Sequence, residues 1–126
     1  MRILHVEDDE DIRAVTEIAL VQLSGFQLCS CDSGAMALSL AQAFQPDLML
    51  LDVMMPQMDG LQTLAALRRL PGMAAVPAVF MTARLQDAEK QQYLDAGAIA
   101  VLEKPFDPLT LGQQLQQYLI NPATDS

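Results

Sequence analysis

Three acids, a threonine and a lysine have the types and placement to do chemistry: Glu7, Asp8, Asp52, Thr82 and Lys104, each at or just beyond the end of a short apolar run. Asp52 follows Leu48, Met49, Leu50 and Leu51, so its carboxylate stands at the tip of a segment suited to a buried strand. If the strand ends converge, Asp52 comes to lie beside Glu7 and Asp8, and neighbouring carboxylates repel one another. Such a site has to take up protons or a cation. A hard divalent ion such as Mg²⁺ suits it, because Mg²⁺ accepts one or two carboxylates, keeps several waters and takes phosphate oxygens. Lys104 then offers a positive charge for one phosphoryl oxygen, and Thr82 a hydroxyl that can donate to another. Phosphoryl transfer asks the protein for positioning and charge neutralisation more than for covalent chemistry, and these five residues supply both.

The five act together only if the secondary structure brings them to one rim. Ile3 to Val6, Phe26 to Cys31, Leu48 to Leu51, Ala78 to Met81 and Ile99 to Leu102 read as strands. The third and fourth are apolar enough to be covered on both faces. Between them run helical stripes: Ile12, Val15, Ala19 and Leu23; Ala37, Ala41 and Phe44; Leu61, Leu64 and Ala65; and finally Leu111, Leu115, Tyr118 and Leu119. A fourth helix, about Asp87 to Ala96, has a thin apolar face of Ala88, Tyr93 and Leu94. It reads as a mobile element or as an ordinary solvated surface helix. Ser33 and Asp59 are the expected N-caps of the second and third helices. Gly72 and Pro77 bracket the loop into the fourth strand, and Gly97 stops the fourth helix. Five β/α units with right-handed crossovers predict an α/β fold, a doubly wound five-stranded parallel sheet in a three-layer sandwich. Such sheets bind ligands beyond the carboxyl ends of their strands, near the point where strand order reverses.

Composition narrows the function classes. The chain has 126 residues, of which 52% are hydrophobic and 18% charged, enough to bury a core in one domain without a disulfide or metal staple. Its net charge is −9, and five of its sixteen acids are consecutive, from Glu7 to Asp11. Asp9 to Asp11 read as helix-start charge. The acidic excess argues against direct binding of nucleic acid. No apolar stretch is long enough to span or insert in a membrane, and Arg2 precedes only a short apolar run ending at Glu7, which is no signal peptide. A cytoplasmic location is expected, with Cys29 and Cys31 as small buried thiols in a reducing compartment. His5, inside the first strand, reads as a hydrogen-bonded packing residue. Residues 1–120 form the expected domain, and 121–126 a tail or the start of a linker.

Val6-Glu7-Asp8-Asp9, Leu51-Asp52-Val53-Met54-Met55-Pro56 with Asp59-Gly60, Met81-Thr82-Ala83 and Lys104-Pro105-Phe106 resemble the motifs of the receiver domain of two-component response regulators. The resemblance runs from Ile3 to about Leu119. It implies the flavodoxin-like strand order 2-1-3-4-5 with five helices, and a phosphoryl group accepted on Asp52 from a histidine kinase or a histidine phosphotransfer protein. It also implies Mg²⁺ held by Asp8, by Glu7 often through water, by Asp52 and by the backbone carbonyl of Met54. Thr82 and Lys104 match the hydroxyl and the lysine that contact the phosphoryl group, and Pro105 the position where the family usually has a cis peptide. The implied partners are the kinase or phosphotransfer protein and a downstream effector; a homodimer is left open. No enzymatic activity is implied beyond the chain's own phosphorylation and dephosphorylation. Met54 and Arg84 flank the phosphoryl position, where they are expected to govern water access. One position departs: Val101 stands three residues before the lysine, where the family commonly has Tyr or Phe. A valine offers no ring to swing, so switching is expected to rest on the fourth helix, on the loop after Thr82 or on another surface.

Other classes fit less well. A haloacid-type phosphatase would need a second acid two residues after Asp52, where Met54 stands. A flavodoxin-like electron carrier would need a phosphate loop where Glu7 to Asp11 would repel the flavin phosphate. A phosphorylation-independent pseudo-receiver, acting purely as an interaction module, is the remaining alternative, weakened because no chemical residue is missing.

Overall fold

The apolar runs pair as one sheet. In the computed structural model, which describes residues 1–121, β1 (Arg2–Val6), β2 (Gln27–Cys31), β3 (Leu48–Asp52), β4 (Ala78–Thr82) and β5 (Ala100–Glu103) are all parallel, in the order β2-β1-β3-β4-β5. β3 and β4 are buried at every residue, as strands covered on both faces must be. The connections are α1 (Glu10–Glu17), α2 (Gly34–Phe44), α3 (Gly60–Arg68) and α4 (Asp87–Asp95), and α5 (Leu111–Ile120) closes the fold. This is the doubly wound sandwich with five helices that the sequence predicts. Chain direction through the sheet reverses between β1 and β3, so the carboxyl ends of these two strands form the ligand-binding crevice of such a sheet. The expected tail at 121–126 lies, beyond Asn121, outside the described residues.

Alternation along the strands divides the core into two layers. Leu4, Met49, Leu51, Phe80 and Val101 face the side covered by α2, α3 and Tyr93 of α4. Ile3, Leu50, Val79, Met81 and Ala100 face Ala19, Leu20, Leu111 and Leu115 on the other. Capping follows the sequence: the Ser33 hydroxyl accepts from Met36 N–H at 3.1 Å. Asp59 accepts from Gln62 N–H at 2.8 Å while the Gln62 side chain accepts from Asp59 N–H at 3.0 Å, a complete capping box.

Several helix faces differ from the stripes. In the first, Val15 is 39% exposed and Leu23 points outward, whereas Thr16, Ala19 and Leu20 are buried. Thr16 can be buried because its hydroxyl donates to the Ile12 carbonyl at 2.7 Å, a local bond invisible to hydrophobic periodicity. Beyond Glu17 the helix widens into a π-helical segment, Ile18–Gln22, closed by Leu23 N–H donating to Ile18 O at 3.0 Å. The wider turn shifts the buried face by part of a residue step. In α3 the buried face is Thr63, Leu64 and Leu67, and Ala65 is exposed. Leu119 of α5 is also exposed. In α4, Ala88 is exposed, Leu94 is half-buried and Tyr93 is buried. His5 is fully buried, but neither ring nitrogen has a hydrogen-bond partner among the described residues. It packs as an uncharged ring and not through the hydrogen bond expected of it.

Candidate functional site

Strand pairing carries the site residues to one rim. β1 leads directly into Glu7, whose N–H donates to Cys31 O of β2 at 3.0 Å. Asp52 is the last residue of β3, paired in register with Met81 of β4. Thr82 ends β4, and its carbonyl accepts from Lys104 N–H at 2.7 Å just past β5. The Lys104–Pro105 peptide is cis, as in the resembled family.

Lys104 holds two of the acids together. Its Nζ lies 2.9 Å from Glu7 Oε1 and 2.7 Å from Asp52 Oδ1. Glu7, Asp52 and Thr82 are buried, Lys104 is partly so, and Asp8 is exposed. Burial pushes the Glu7 carboxyl up to about 7 against the hydrogen bond from Lys104, and the charge of Asp52 adds to the rise. Burial works against the Lys104 charge, but its bonds to Asp52 and Glu7 outweigh burial and hold the ammonium above its usual range. Buried charges survive only when paired in this way. Asp8 completes the set: Glu7, Asp8 and Asp52 each present a carboxylate oxygen within 4.8 Å of the others. Three carboxylates against one ammonium leave an excess of negative charge suited to a divalent cation. An all-oxygen donor set open to water through Asp8 fits Mg²⁺.

The backbone around Asp52 is fixed closely. Val53 N–H donates to Met81 O at 2.9 Å, and Gly60 N–H to Val53 O at 2.9 Å. A Cβ on Gly60 would stand 2.4 Å from Asp52 O and 2.9 Å from Val53 Cα, so the start of α3 lies against the Asp52 backbone and admits no side chain there. Arg13 reaches back from α1 to donate to the Glu7 carbonyl at 2.8 Å, a contact the sequence does not signal.

One expected participant is turned elsewhere. The Thr82 hydroxyl donates to Arg84 O at 3.1 Å and does not point into the Lys104 ion pairs. Met54, expected to act through its backbone carbonyl, lies two residues beyond Asp52 with its side chain 73% exposed. Glu103 is a further participant that sequence reading missed: its carboxylate accepts from Leu85 N–H at 3.0 Å and fastens the loop after Thr82 to β5. An apolar groove beside the site is lined by Ile12, Val15, Ala83, Lys104, Pro105 and Phe106. Cys29 and Cys31 are free thiols, half-buried and buried, and burial pushes Cys31 up to about 12. No described helix is long and apolar enough to cross a membrane.

Comparison with known proteins agrees with this fold. The family model described as the response regulator receiver domain matches residues 3–116. A 14.6 kDa protein from the sodA1 3′ region of Leptolyngbya boryana is 36% identical, over 95% of this chain and 91% of its own length. The transcriptional regulatory protein CseB of Streptomyces coelicolor is 35% identical, over 93% of this chain and 48% of its own. The DNA-binding dual master transcriptional regulator RpaA of Synechocystis is 38% identical, over 84% and 44%. The chain thus spans about half the length of these two regulators. Among solved structures, the chemotaxis protein CheY4 of Vibrio cholerae superposes with a TM-score of 0.86 at 32% identity, covering 93% of this chain and 97% of that one.

Proposed function

The chain belongs to the response regulator receiver family, a family of signalling domains, and from that membership we infer that Asp52 is the phosphoacceptor of a phosphorelay. The donor is a phosphohistidine on a sensor kinase or a histidine phosphotransfer protein, and the modified chain changes its affinity for a downstream effector. One observation carries the reading: Lys104 is paired at 2.7 Å and 2.9 Å with Asp52 and Glu7 at the rim where Asp8 completes an oxygen donor set.

In the transfer, an Asp52 carboxylate oxygen attacks phosphorus. The O–P bond forms as the N–P bond to the donor imidazole breaks, and the electron pair of that bond leaves on nitrogen. Glu7, Asp8, Asp52 and the Met54 carbonyl are the groups assigned to hold Mg²⁺, which when bound neutralises phosphoryl oxygens. Lys104, already beside Asp52, follows the charge onto a phosphoryl oxygen. Thr82 has to leave the Arg84 carbonyl to donate to another, and the loop after β4 moves with it. The outcome is a shift between two populations of the same chain, biased by a local charge change. The apolar groove beside Lys104 offers the donor a seat from which its imidazole can approach Asp52. With its acidic charge, the domain itself is assigned no nucleic-acid contact.

Incubation with acetyl phosphate and Mg²⁺ is expected to add the mass of one phosphoryl group. The gain should disappear in Asp52→Asn and in the presence of a chelator. Full labelling of Asp52→Asn would overturn the assignment of the acceptor.

A further inference from the structure

α2 carries none of the chain's seven Lys and Arg or sixteen Asp and Glu. Its inner side is buried through Ala37 and Ala41, yet its outer side is also apolar: Met36, Leu40 and Ala43, spaced four and then three residues apart, form one exposed stripe. A helix that is apolar on both sides is ordinarily covered on both. The other outer faces differ. α1 and α4 expose acids, among them Glu10, Asp11, Glu17, Asp87 and Asp95, and α5 exposes Gln113, Gln116 and Gln117, which water satisfies.

The two ends of the α2 face carry opposite charge. α3 lies alongside α2 and runs the same way. A Cβ on Gly34, the first residue of α2, would stand 2.5 Å from Thr63 Oγ1 near the start of α3, and near the far end of α2 the Gln42 amide donates to Pro71 O, just past α3, at 3.3 Å. At the starting end stand Asp32, which precedes the Ser33 cap, and Asp59, the cap of α3. At the far end stand Arg69, which closes α3, and Arg2, whose guanidinium lies 5.0 Å from the ring of Phe44, the last residue of α2. Asp47 shares that end, but its carboxylate is occupied by Arg2 N–H at 2.8 Å. Asp32 and Arg69 are exposed, and neither is hydrogen-bonded or ion-paired among the described residues.

We propose that a second copy of this chain covers the face, with α2 packed antiparallel on α2 across a two-fold axis. Two molecules of net charge −9 repel over most of their surface, and this face has no acidic excess to oppose their approach. The antiparallel two-fold lays the arginine end of each copy on the aspartate end of the other, so Arg69 faces Asp32 twice, whereas a parallel pair would set Arg69 against Arg69. Met36 and Leu40 meet their own equivalents between the two charge pairs, as an isologous interface requires. An eleven-residue helix spans only about 16 Å, which makes this a small, concentration-dependent interface of the weak class. The proposal goes beyond the phosphoacceptor reading and does not depend on it.

Sedimentation of the full chain from micromolar to millimolar concentration is expected to show the mass rising from 13.7 kDa toward twice that value. Leu40→Glu sets like charges together at the centre of the interface and should hold the chain monomeric throughout. Because the axis repeats the pair, Asp32→Arg and Arg69→Asp should each weaken association by about tenfold. The double variant with Asp32→Arg and Arg69→Asp should restore it. A chain that stays monomeric at every concentration would overturn the proposal and leave α2 to a different partner. A dimer unchanged in a folded Leu40→Glu would also overturn it by placing the contact on another face. Failure of the double variant to recover what the single variants lose would overturn the antiparallel arrangement. Should Leu40→Glu fail to fold, the charge variants, on two exposed side chains, still decide.

Discussion

Burial pulls Glu7 and His5 in opposite directions on the pH scale. The Glu7 carboxyl rises from its ordinary 4.5 to about 7, so between these values the folded chain holds a proton the unfolded chain has lost. Stability from Glu7 is present below pH 4.5 and is lost as pH rises through 7. The His5 imidazole falls from 6.5 to about 3, first by burial and then by the charges of Lys104 and Arg13. The unfolded chain then binds the extra proton, and stability is lost as pH falls from 6.5 toward 3, by up to about 1.4 kcal/mol per unit. His5→Leu removes only the second effect. Its stability relative to the parent is expected to grow as pH is lowered through that window, measured by urea denaturation at several pH values. A difference independent of pH would show that His5 is not held neutral. The sequence marks His5 as a strand residue but not that its ring goes without a hydrogen bond, which depends on the residues stacked over it from other elements.

At the scale of elements, the start of α3 is where local sequence and site geometry meet. Asp59 and Gln62 bond each other's backbone, and Gly60 lies against Asp52 O. Asp59→Ala is expected to cost about 1 kcal/mol, the usual loss of an N-cap. Gly60→Ala should cost more and also lower phosphoryl labelling, because the Asp52 and Val53 backbone must shift to admit a Cβ; equal losses in urea melts would argue against that close approach. The N-caps of α2 and α3 were legible from sequence because capping is a bond between near neighbours in the chain. The buried face of α1 was not, since Thr16 is admitted to the core by its own bond to Ile12 and the helix widens at Ile18–Gln22. In α4, Ala88 was misplaced because six polar residues among the nine of the helix leave periodicity little to read.

Taken as a whole, the molecule carries a net charge of −9 and concentrates part of it where β1 and β3 end. A cation bound there would relieve both the local repulsion and the general one, and a ligand that binds only the folded chain stabilises it by mass action. At Mg²⁺ one hundred times its dissociation constant the gain is about 2.7 kcal/mol, and it should appear as a rise in Tm. Sodium chloride at the same ionic strength should give a smaller rise, and equal effects would mean screening alone.

The sequence by itself determined the strands and the polar residues at their carboxyl ends, because each of Glu7, Asp52, Thr82 and Lys104 ends a run of apolar residues or lies just beyond one, and a parallel sheet puts all such ends on one rim. Its resemblance to receiver domains supplied the strand order that the structure bears out. Only the tertiary structure decided which groups touch. Lys104 bridges Glu7 and Asp52, Thr82 turns away to Arg84, and Tyr93 of α4 is brought against Phe80 of β4. Contacts between residues far apart in the chain depend on how complete faces fit, and periodicity along one segment carries no record of the face that will cover it.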